Sequence, residues 1–222
     1  MLVKLISHTN NAALLCGEAA AVCTASKNPE KALTHAVDSG HTSVLEHASF
    51  TFKVEGLSRA ALAQLTRHRL ASFDVQRQRY VRLSDGVESL IWPKSILESP
   101  LLNEVEACMT RTMDLYQQLV KAGVPKEDAR YITPQAVPTD LIMTMNAREL
   151  LHFFSLRTCN RAQWEIRELA DQMLSICKQL EPDIFGNAGP GCVTGKCPEK
   201  SPCGSPRCSS DWDKFRTNPD VD

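Results

Sequence analysis

A cluster of basic residues in the first half of the chain has the composition of an anion-binding site. Residues 67–82 contain five arginines, one histidine and one acidic residue, although the whole chain carries a formal net charge of −1. Guanidinium groups stay charged and offer paired donors that match the oxygens of a phosphate. The segment therefore predicts binding of a phosphorylated ligand, and a solvated basic loop is the alternative that composition leaves open.

The Arg-His-Arg triplet at 67–69 belongs to an ordered set of short motifs. Ser72, Gln76, Arg79 and Tyr80 follow it, and further matches occur at residues 40–43, 46–47, 146–148, 156–157 and 162–167. Together these residues resemble the signature of flavin-dependent thymidylate synthases, in which Arg-His-Arg is followed by a serine. The resemblance covers residues 1 to about 185, and an ordered set is far more specific than a lone triplet.

The resemblance implies a homotetramer whose active sites lie between subunits and hold FAD, dUMP and methylenetetrahydrofolate, with NADPH as reductant. Reduced flavin would deliver hydride to the pyrimidine after the methylene group leaves folate, which converts dUMP to dTMP without an enzyme nucleophile. The implied flavin ligands are Ser43, Arg67, His68, Arg69, Arg157, Asn160 and Arg161. The implied dUMP ligands are Gln64, Arg67, Gln76, Arg77, Gln78, Arg79 and Arg167.

Arg167 matches the residue that activates the pyrimidine in the resembled family. A fixed guanidinium beside N3 and the neighbouring carbonyl can stabilise the charge that develops on the ring. Asn160 lies seven residues before Arg167, and Gln64 lies three residues before Arg67. On continuous helices the members of each pair would share one face, which would give each pair a common pocket.

Two residues depart from the family pattern at the expected phosphate site. Arg77 replaces the signature serine, and Asp140 stands where many members carry a basic ligand. Arg77 could compensate by binding the phosphate, could pair with Asp140, or could block dUMP. A flavin- or nucleotide-binding relative without synthase activity is the alternative function that these two residues leave open.

Two other residue types suggest further sites. Cys192, Cys197, Cys203 and Cys208 could bind one zinc ion tetrahedrally, although they lack C-x2-C pairs, and an unstructured reduced tail is the alternative.

Nothing beside Cys159 marks an activated thiolate, so we do not expect it to be a nucleophile. His152 lies among leucines and phenylalanines, a setting that predicts a hydrogen-bonded core histidine. His41 could be a gate or stacking residue at the folate site, as the resemblance implies, or a histidine in a surface turn.

Short strands and helices must position these residues. Alternating polar and apolar side chains predict a strand over 49–54 with Phe50, Phe52 and Val54 facing inward. Other strands are expected at 2–6 and 141–145, with helices at 11–25, after Pro29, and over 57–69, 101–121 and 162–180. The arginine-rich run 67–82 is expected to be an extended loop. The predicted stripe of helix 101–121 is Leu101, Val105, Cys108, Thr112, Leu115 and Leu119, and that of helix 162–180 is Ala162, Ile166, Leu169, Met173, Ile176 and Leu180.

This pattern predicts the α/β (α+β) class, with a central β-sheet flanked by helices. One catalytic domain is expected over 1–185, followed by a Gly/Pro/Cys-rich tail over 186–222 that cannot build its own apolar core. The 25 basic and 26 acidic residues nearly cancel, which disfavours nucleic acid or an anionic membrane as a partner. We expect a cytoplasmic protein whose cysteines are thiols or metal ligands.

Overall fold

The centre of the fold is a four-stranded antiparallel β-sheet. The computed structural model describes residues 1–77, 86–195 and 197–215. Its strands are β1 (Leu2–His8), β2 (Ser49–Ser58), β3 (Ala71–Val75) and β4 (Pro138–Asn146), in the order β1-β2-β4-β3. Because the inner strands β2 and β4 are antiparallel, each begins where the other ends: Ser49 pairs with Asn146, and Ser58 pairs with Pro138.

Ten helices accompany the sheet in the part of the chain that the structure describes. They are α1 (Ala12–Thr24), α2 (Pro29–Asp38), α3 (Arg59–Leu65), α4 (Lys94–Leu97), α5 (Leu102–Lys121), α6 (Lys126–Ala129), α7 (Ala147–Arg157), α8 (Trp164–Leu180), α9 (Pro182–Phe185) and α10 (Gly191–Thr194). Short 3-10 segments cover Thr42–His47, Val87–Ser89, Arg130–Ile132 and Ser209–Phe215. None of the described helices is long and apolar enough to cross a membrane.

One face of the sheet is buried, as the alternating pattern predicts. Phe50, Phe52 and Val54 of β2 are fully buried, whereas Lys53 between them is exposed. The same alternation continues on β4, where Met143 is buried and its neighbours are not. The apolar side chains of both inner strands therefore face the helices and form one core with them.

β2 is longer than the predicted strand because it continues through a bulge. The register between β2 and β4 shifts between Val54 and Leu57, and Gly56 in this interval has φ of 74°. Glycine adopts this left-handed conformation without the steric cost that a Cβ atom imposes. The Gly56 N–H donates to the Asp140 carboxylate at 2.9 Å, so the acidic side chain of Asp140 stabilises the bulge.

α8 carries the predicted apolar stripe and is the central helix of the core. Ile166, Leu169 and Met173 are fully buried, while Leu180 at the end of the stripe is partly exposed. The helix packs against α3, α7, α9 and β1. Its N-cap is Gln163, whose side chain accepts hydrogen bonds from two backbone N–H groups of the first turn.

Helix α5 has the predicted extent but buries a different stripe. The predicted residues Cys108 and Leu115 are exposed, and the buried residues are Met113 and Tyr116. The spacing of apolar residues indicates that a segment is helical. Which face of the helix is buried depends on how the helix packs against the rest of the protein. On α5 the larger side chains of Met113 and Tyr116 occupy that side.

The arginine-rich run is not the extended loop that its composition predicts. Its residues Ala71–Val75 form the edge strand β3, which pairs with β4. The apolar residues of β3 alternate with exposed polar residues, which is the pattern of a strand with one covered face. Helix α3 is also shorter than expected over 57–69, because Ser58 caps its start and it ends at Leu65. Residues 78–82 of the run lie outside the described residues.

The described part of the C-terminal segment packs on the main core and has no apolar core of its own. Trp212 is 1% exposed and joins the core cluster. Its indole N–H donates to Asp171 of α8 at 2.9 Å, and Arg207 Nη1 donates to both oxygens of that carboxylate at 2.7 and 2.9 Å. Burial raises the pKa of Asp171, and the hydrogen bonds from Arg207 oppose this shift. The pair therefore docks the segment onto α8.

Replacing Arg207 by alanine should destabilise the protein strongly, because it leaves the buried Asp171 carboxylate without its cation. We expect the free energy of unfolding to fall by about 3–5 kcal/mol, as measured by chemical denaturation. The matched control is Arg148→Ala, which removes an exposed ion pair with Glu46 and should cost at most about 1 kcal/mol. Equal losses in the two variants would contradict a docking role for Arg207.

Candidate functional site

His68 is the buried member of the Arg-His-Arg triplet and lies just beyond the end of α3. Its Nδ1 is 2.9 Å from Glu149 of α7, and its Nε2 accepts a hydrogen bond from Arg157 Nε at 3.1 Å. Burial lowers the pKa of His68, while the hydrogen bond to Glu149 acts in the opposite direction. These contacts fit a neutral ring that donates from Nδ1 and accepts at Nε2.

Arg157 and Arg67 place two positive charges beside His68. Burial lowers the pKa of Arg157, and repulsion by Arg67 adds to the shift. Arg157 also donates to the Gln64 carbonyl at 3.5 Å, so its guanidinium is held by α3 as well as by His68. Within residues 1–77, 86–195 and 197–215, no acidic side chain pairs with Arg67 or Arg69. The donor set therefore fits an anionic group bound here.

Gln64 and Arg67 are joined by a turn and not by a shared helical face. α3 ends at Leu65, and the Arg67 N–H donates to the Gln64 carbonyl at 3.3 Å. The expectation of a continuous helix is therefore wrong for this pair. Ser43 lies on the exposed surface of the segment Thr42–His47, which packs against α7.

Arg167 is oriented by the turn between α7 and α8. Its Nη1 donates to the carbonyls of Asn160 at 2.8 Å and Ala162 at 3.3 Å. The prediction that Asn160 and Arg167 share one continuous helix is wrong, because Gln163 caps α8 and the helix begins only at Trp164. The two residues are nevertheless in direct contact.

The side chains of Asn160 and Arg161 contact the C-terminal segment. Asn160 Nδ2 donates to the Ser205 carbonyl at 2.7 Å, and Arg161 Nη1 lies 3.5 Å from Glu199. Both residues were expected from the resemblance to be flavin ligands. The structure thus brings the C-terminal segment against one side of the expected flavin site.

Arg59 is a basic residue of this region that the sequence reasoning missed. Its Nη2 donates to the Gln76 carbonyl at 2.9 Å, while its buried Nε has no hydrogen-bond partner in the described structure. Burial lowers the pKa of Arg59, and repulsion by Arg130 adds to the shift. Both arginines line a cavity of about 450 Å³. An arginine directly after the helix cap Ser58 was the available signal, since it must lie where β2 meets α3.

The two departures from the family pattern do not pair with each other. The Asp140 carboxylate accepts from Gly56 N, and its carbonyl accepts from Gln76 N at 2.9 Å. Arg77 is exposed, and the described residues contain no ion pair between it and Asp140. Gln78 and Arg79, expected dUMP ligands, lie outside the described residues together with Tyr80.

The four tail cysteines do not form the zinc site that was predicted. In the described part of the chain, the one group of His, Cys or acidic ligand atoms close enough for a metal ion is His68, Glu149 and His152. Both ring nitrogens of His68 already have protein partners, which argues against metal binding there. His152 is exposed and 5.8 Å from the His68 ring, so the expectation of a buried histidine is wrong. Its apolar neighbours on α7 face the core, and His152 faces away.

Cys208 in particular is engaged elsewhere. Its thiol lies 3.1 Å from Ser210 Oγ and 3.3 Å from Asp211 Oδ1. Cys192 instead accepts a hydrogen bond from the Arg207 backbone N–H at 3.4 Å. The spacing of the cysteines along the chain therefore does not predict which thiols lie near one another in the fold.

The chain is similar to proteins of known family over most of its length. Residues 4–183 match the family described as thymidylate synthase complementing protein. A flavin-dependent thymidylate synthase of Geobacter sulfurreducens is 47% identical over 213 residues, which cover 90% of this chain and 91% of the relative. One from Pyrococcus furiosus is 48% identical over 179 residues, which cover 77% of this chain and 73% of the relative.

The fold is also that of a solved structure. A flavin-dependent thymidylate synthase of Helicobacter pylori, complexed with FAD and dUMP, superposes with a TM-score of 0.70 at 24% identity, covering 85% of this chain and 100% of that chain. The predicted fold class, a central sheet flanked by helices, is confirmed. The ordered motifs and the match over residues 4–183 lead to one conclusion: this chain belongs to the flavin-dependent thymidylate synthase family.

Proposed function

We propose that this chain methylates dUMP to dTMP, with methylenetetrahydrofolate as carbon donor, FAD as hydride carrier and NADPH as reductant. The observation that carries the proposal is the buried His68, which orients Arg157 at the end of α7. Arg67 and Arg69 beside it have no acidic partner among the described residues. FAD, when bound, supplies the hydride chemistry that amino-acid side chains lack. The protein must then bind, orient and polarise its ligands.

The proposed flavin ligands are Arg67, Arg69 and Arg157, with Ser43, Asn160 and Arg161 at the edges of the pocket. Arg157 already has a fixed orientation, because its Nε donates to His68 and its Nη2 donates to Gln64. A guanidinium held in this way loses little side-chain freedom on binding an anion. The negative charge of the cofactor would relieve the repulsion between Arg157 and Arg67.

Arg167 is the proposed catalytic residue. The described contacts use only its Nη1, so Nε and Nη2 remain to face the pyrimidine. A donor that is already oriented costs no reorganisation when charge develops on the ring. The role of Arg167 is therefore activation of the pyrimidine, and anchoring of dUMP is assigned to other residues.

The phosphate of dUMP is assigned to the side of the site that holds Arg59, Gln76 and Arg77. The buried Nε of Arg59 would gain the partner that it lacks in the described structure. Asp140 is engaged at the bulge of β2, and Arg77 follows Gln76, whose carbonyl binds Arg59. These contacts favour compensation by Arg77 over its pairing with Asp140.

Assembly into a homotetramer with active sites between subunits is part of the proposal. Leu2, Ile6 and Ile142 are 41–49% exposed on the strands of the sheet. Burial of these side chains against other subunits would remove apolar surface from water. The alternative function, a flavin- or nucleotide-binding relative without synthase activity, is motivated by Arg77 and Asp140. Formation of dTMP from dUMP and methylenetetrahydrofolate, with oxidation of NADPH, separates the two functions, and binding without turnover would favour the alternative.

Arg167→Ala should lower kcat by about 10²–10³, equivalent to roughly 2.7–4 kcal/mol in barrier height, because a preorganised donor is lost. FAD should stay bound, which the visible absorbance of the flavin measures. Arg111→Ala, on the exposed surface of α5, is the control and should leave kcat unchanged. An unchanged kcat in Arg167→Ala would refute the activating role.

Arg77→Ser should weaken dUMP binding by roughly 1.5–3 kcal/mol, the range for a hydrogen bond to a charged group. Titration calorimetry of the FAD-loaded protein measures this change. Arg111→Ser is the matched control, with an expected change near zero. Tighter dUMP binding in Arg77→Ser would show that Arg77 blocks the site and would overturn the compensation.

The neutral state of His68 should appear in the pH dependence of stability. Its folded pKa is lowered below the ordinary 6.5, so the unfolded chain takes up the proton first as the pH falls. Stability from this site is complete above pH 6.5 and is lost as the pH falls through the folded pKa. His68→Gln keeps a donor and an acceptor but does not titrate. The difference in unfolding free energy between wild type and variant should therefore shrink over this pH range, and a constant difference would contradict the assignment.

A further inference from the structure

Four cysteines from two distant parts of the chain line one cavity. Cys159 comes from the turn after α7, and Cys192, Cys197 and Cys203 come from the C-terminal segment. The cavity has a volume of about 230 Å³. Prolines and glycines supply much of the remaining wall: Pro190, Gly191, Pro198, Pro202, Gly204 and Pro206. The sequence pattern indicated a thiol site in the tail, but the set of thiols differs, since Cys159 takes the place of Cys208.

The described cysteine sulfurs are not arranged as the ligands of one zinc ion. Four thiolates on one zinc ion lie roughly 3.8 Å apart, because each Zn–S bond is about 2.3 Å and the arrangement is tetrahedral. Among the described residues, no three cysteine sulfurs lie within 4.8 Å of one another. An iron–sulfur cluster needs a wider arrangement, because each thiolate binds a different iron and the inorganic core fills the space between them.

The backbone around the cavity suits a thiolate-bound cluster. The Arg207 N–H donates to Cys192 Sγ at 3.4 Å, and hydrogen bonds of this kind stabilise ligand sulfur and tune its cluster. Cys197 is followed by Pro198, which has no N–H of its own, in the Cys-Pro order that also ends a ferredoxin ligand run. The mainly apolar wall would limit access of water to the cluster.

Hydrogen bonds made by residues of the cavity wall, Asn160, Ser205 and Arg207, hold its two halves together. The buried Arg207 donates to Asp171 and to the Thr158 carbonyl, next to Cys159. At the rim, Asn160 donates to the Ser205 carbonyl. The cavity is therefore built by tertiary contacts of α8 and the turn before it. Because the C-terminal segment lacks an apolar core of its own, a bound cluster would add the cross-link that small segments of this kind often use.

We propose that Cys159, Cys192, Cys197 and Cys203 bind a [4Fe–4S] cluster. The four thiols lose their protons on binding, and two ferrous ions, two ferric ions and four sulfide ions make up the core, so that its charge of 2+ balances without a further oxidant. The site lies beside Asn160 and Arg161 but uses neither as a ligand. It does not depend on the proposed synthase reaction, and its test has no activity readout.

The test uses the full-length protein, purified without oxygen and incubated with equal amounts of ferrous and ferric iron, sulfide and a thiol before desalting. We expect about four iron and four sulfide per chain, together with an electron paramagnetic resonance signal after reduction with dithionite. This signal separates the cluster from flavin, whose absorbance overlaps that of iron–sulfur centres. One tightly bound zinc per chain, or no bound iron and sulfide, would overturn the proposal.

Variants identify the ligands. Cys159→Ser should lose most of the bound iron and sulfide, whereas Cys208→Ser should keep them, because Cys208 contacts Ser210 and Asp211 instead. Cys108→Ser on the surface of α5 is a second control. Alkylation of wild-type protein covers the case in which Cys159→Ser does not fold: the four ligand thiols should be protected by the cluster and become reactive when it is removed. Equal iron in Cys159→Ser and Cys208→Ser, or no protection, would refute this ligand set.

Discussion

Pairing of buried carboxylates is the constraint on which the arrangement of this fold depends. Glu149, Glu165, Asp171 and Glu181 are each at most 8% exposed, and an isolated buried charge is too costly to persist. Each is satisfied by a segment far away in sequence. Glu165 accepts from the backbone and hydroxyl of Ser58, and Glu181 accepts from two backbone N–H groups at the start of α1. The four acids therefore tie α7, α8 and the residue after α8 to the rest of the chain.

Two of these pairs also build the candidate active site. The Glu149 carboxylate orients His68, and the opposite nitrogen of His68 orients Arg157. Glu165 holds Ser58, which caps α3 and so determines where Arg59 lies. The buried interactions that stabilise the core thus also fix the positions of Arg157 and Arg59. Such support keeps donors in place without a ligand, which is what electrostatic preorganisation requires.

The third pair, Asp171 with Arg207, brings the C-terminal segment to the same side of the molecule. Trp212 donates to the same carboxylate, and the Arg207 guanidinium lies over the indole ring. The Arg207 Cζ atom is 4.7 Å from the centre of that ring. A segment rich in glycine, proline and cysteine cannot fold by burying its own apolar residues. Its described part is held on α8 because one buried ion pair and one tryptophan anchor it. Its cysteines Cys192, Cys197 and Cys203 consequently line one cavity with Cys159, beside the proposed flavin ligands Asn160 and Arg161.

The sequence by itself determined the strands and helices whose apolar residues repeat regularly, such as β2 and α8, as well as the family, through motifs in a fixed order. It also indicated the arginine cluster as an anion site. Only the tertiary structure decided the phase of α5, the pairing of β3, the partners of His68 and the meeting of Cys159 with the tail. Periodicity and motifs are properties of neighbouring residues. The partner of each buried acid is set by packing between segments that are 36 to 169 residues apart in the chain. The residues next to an acid in the sequence therefore do not predict its partner.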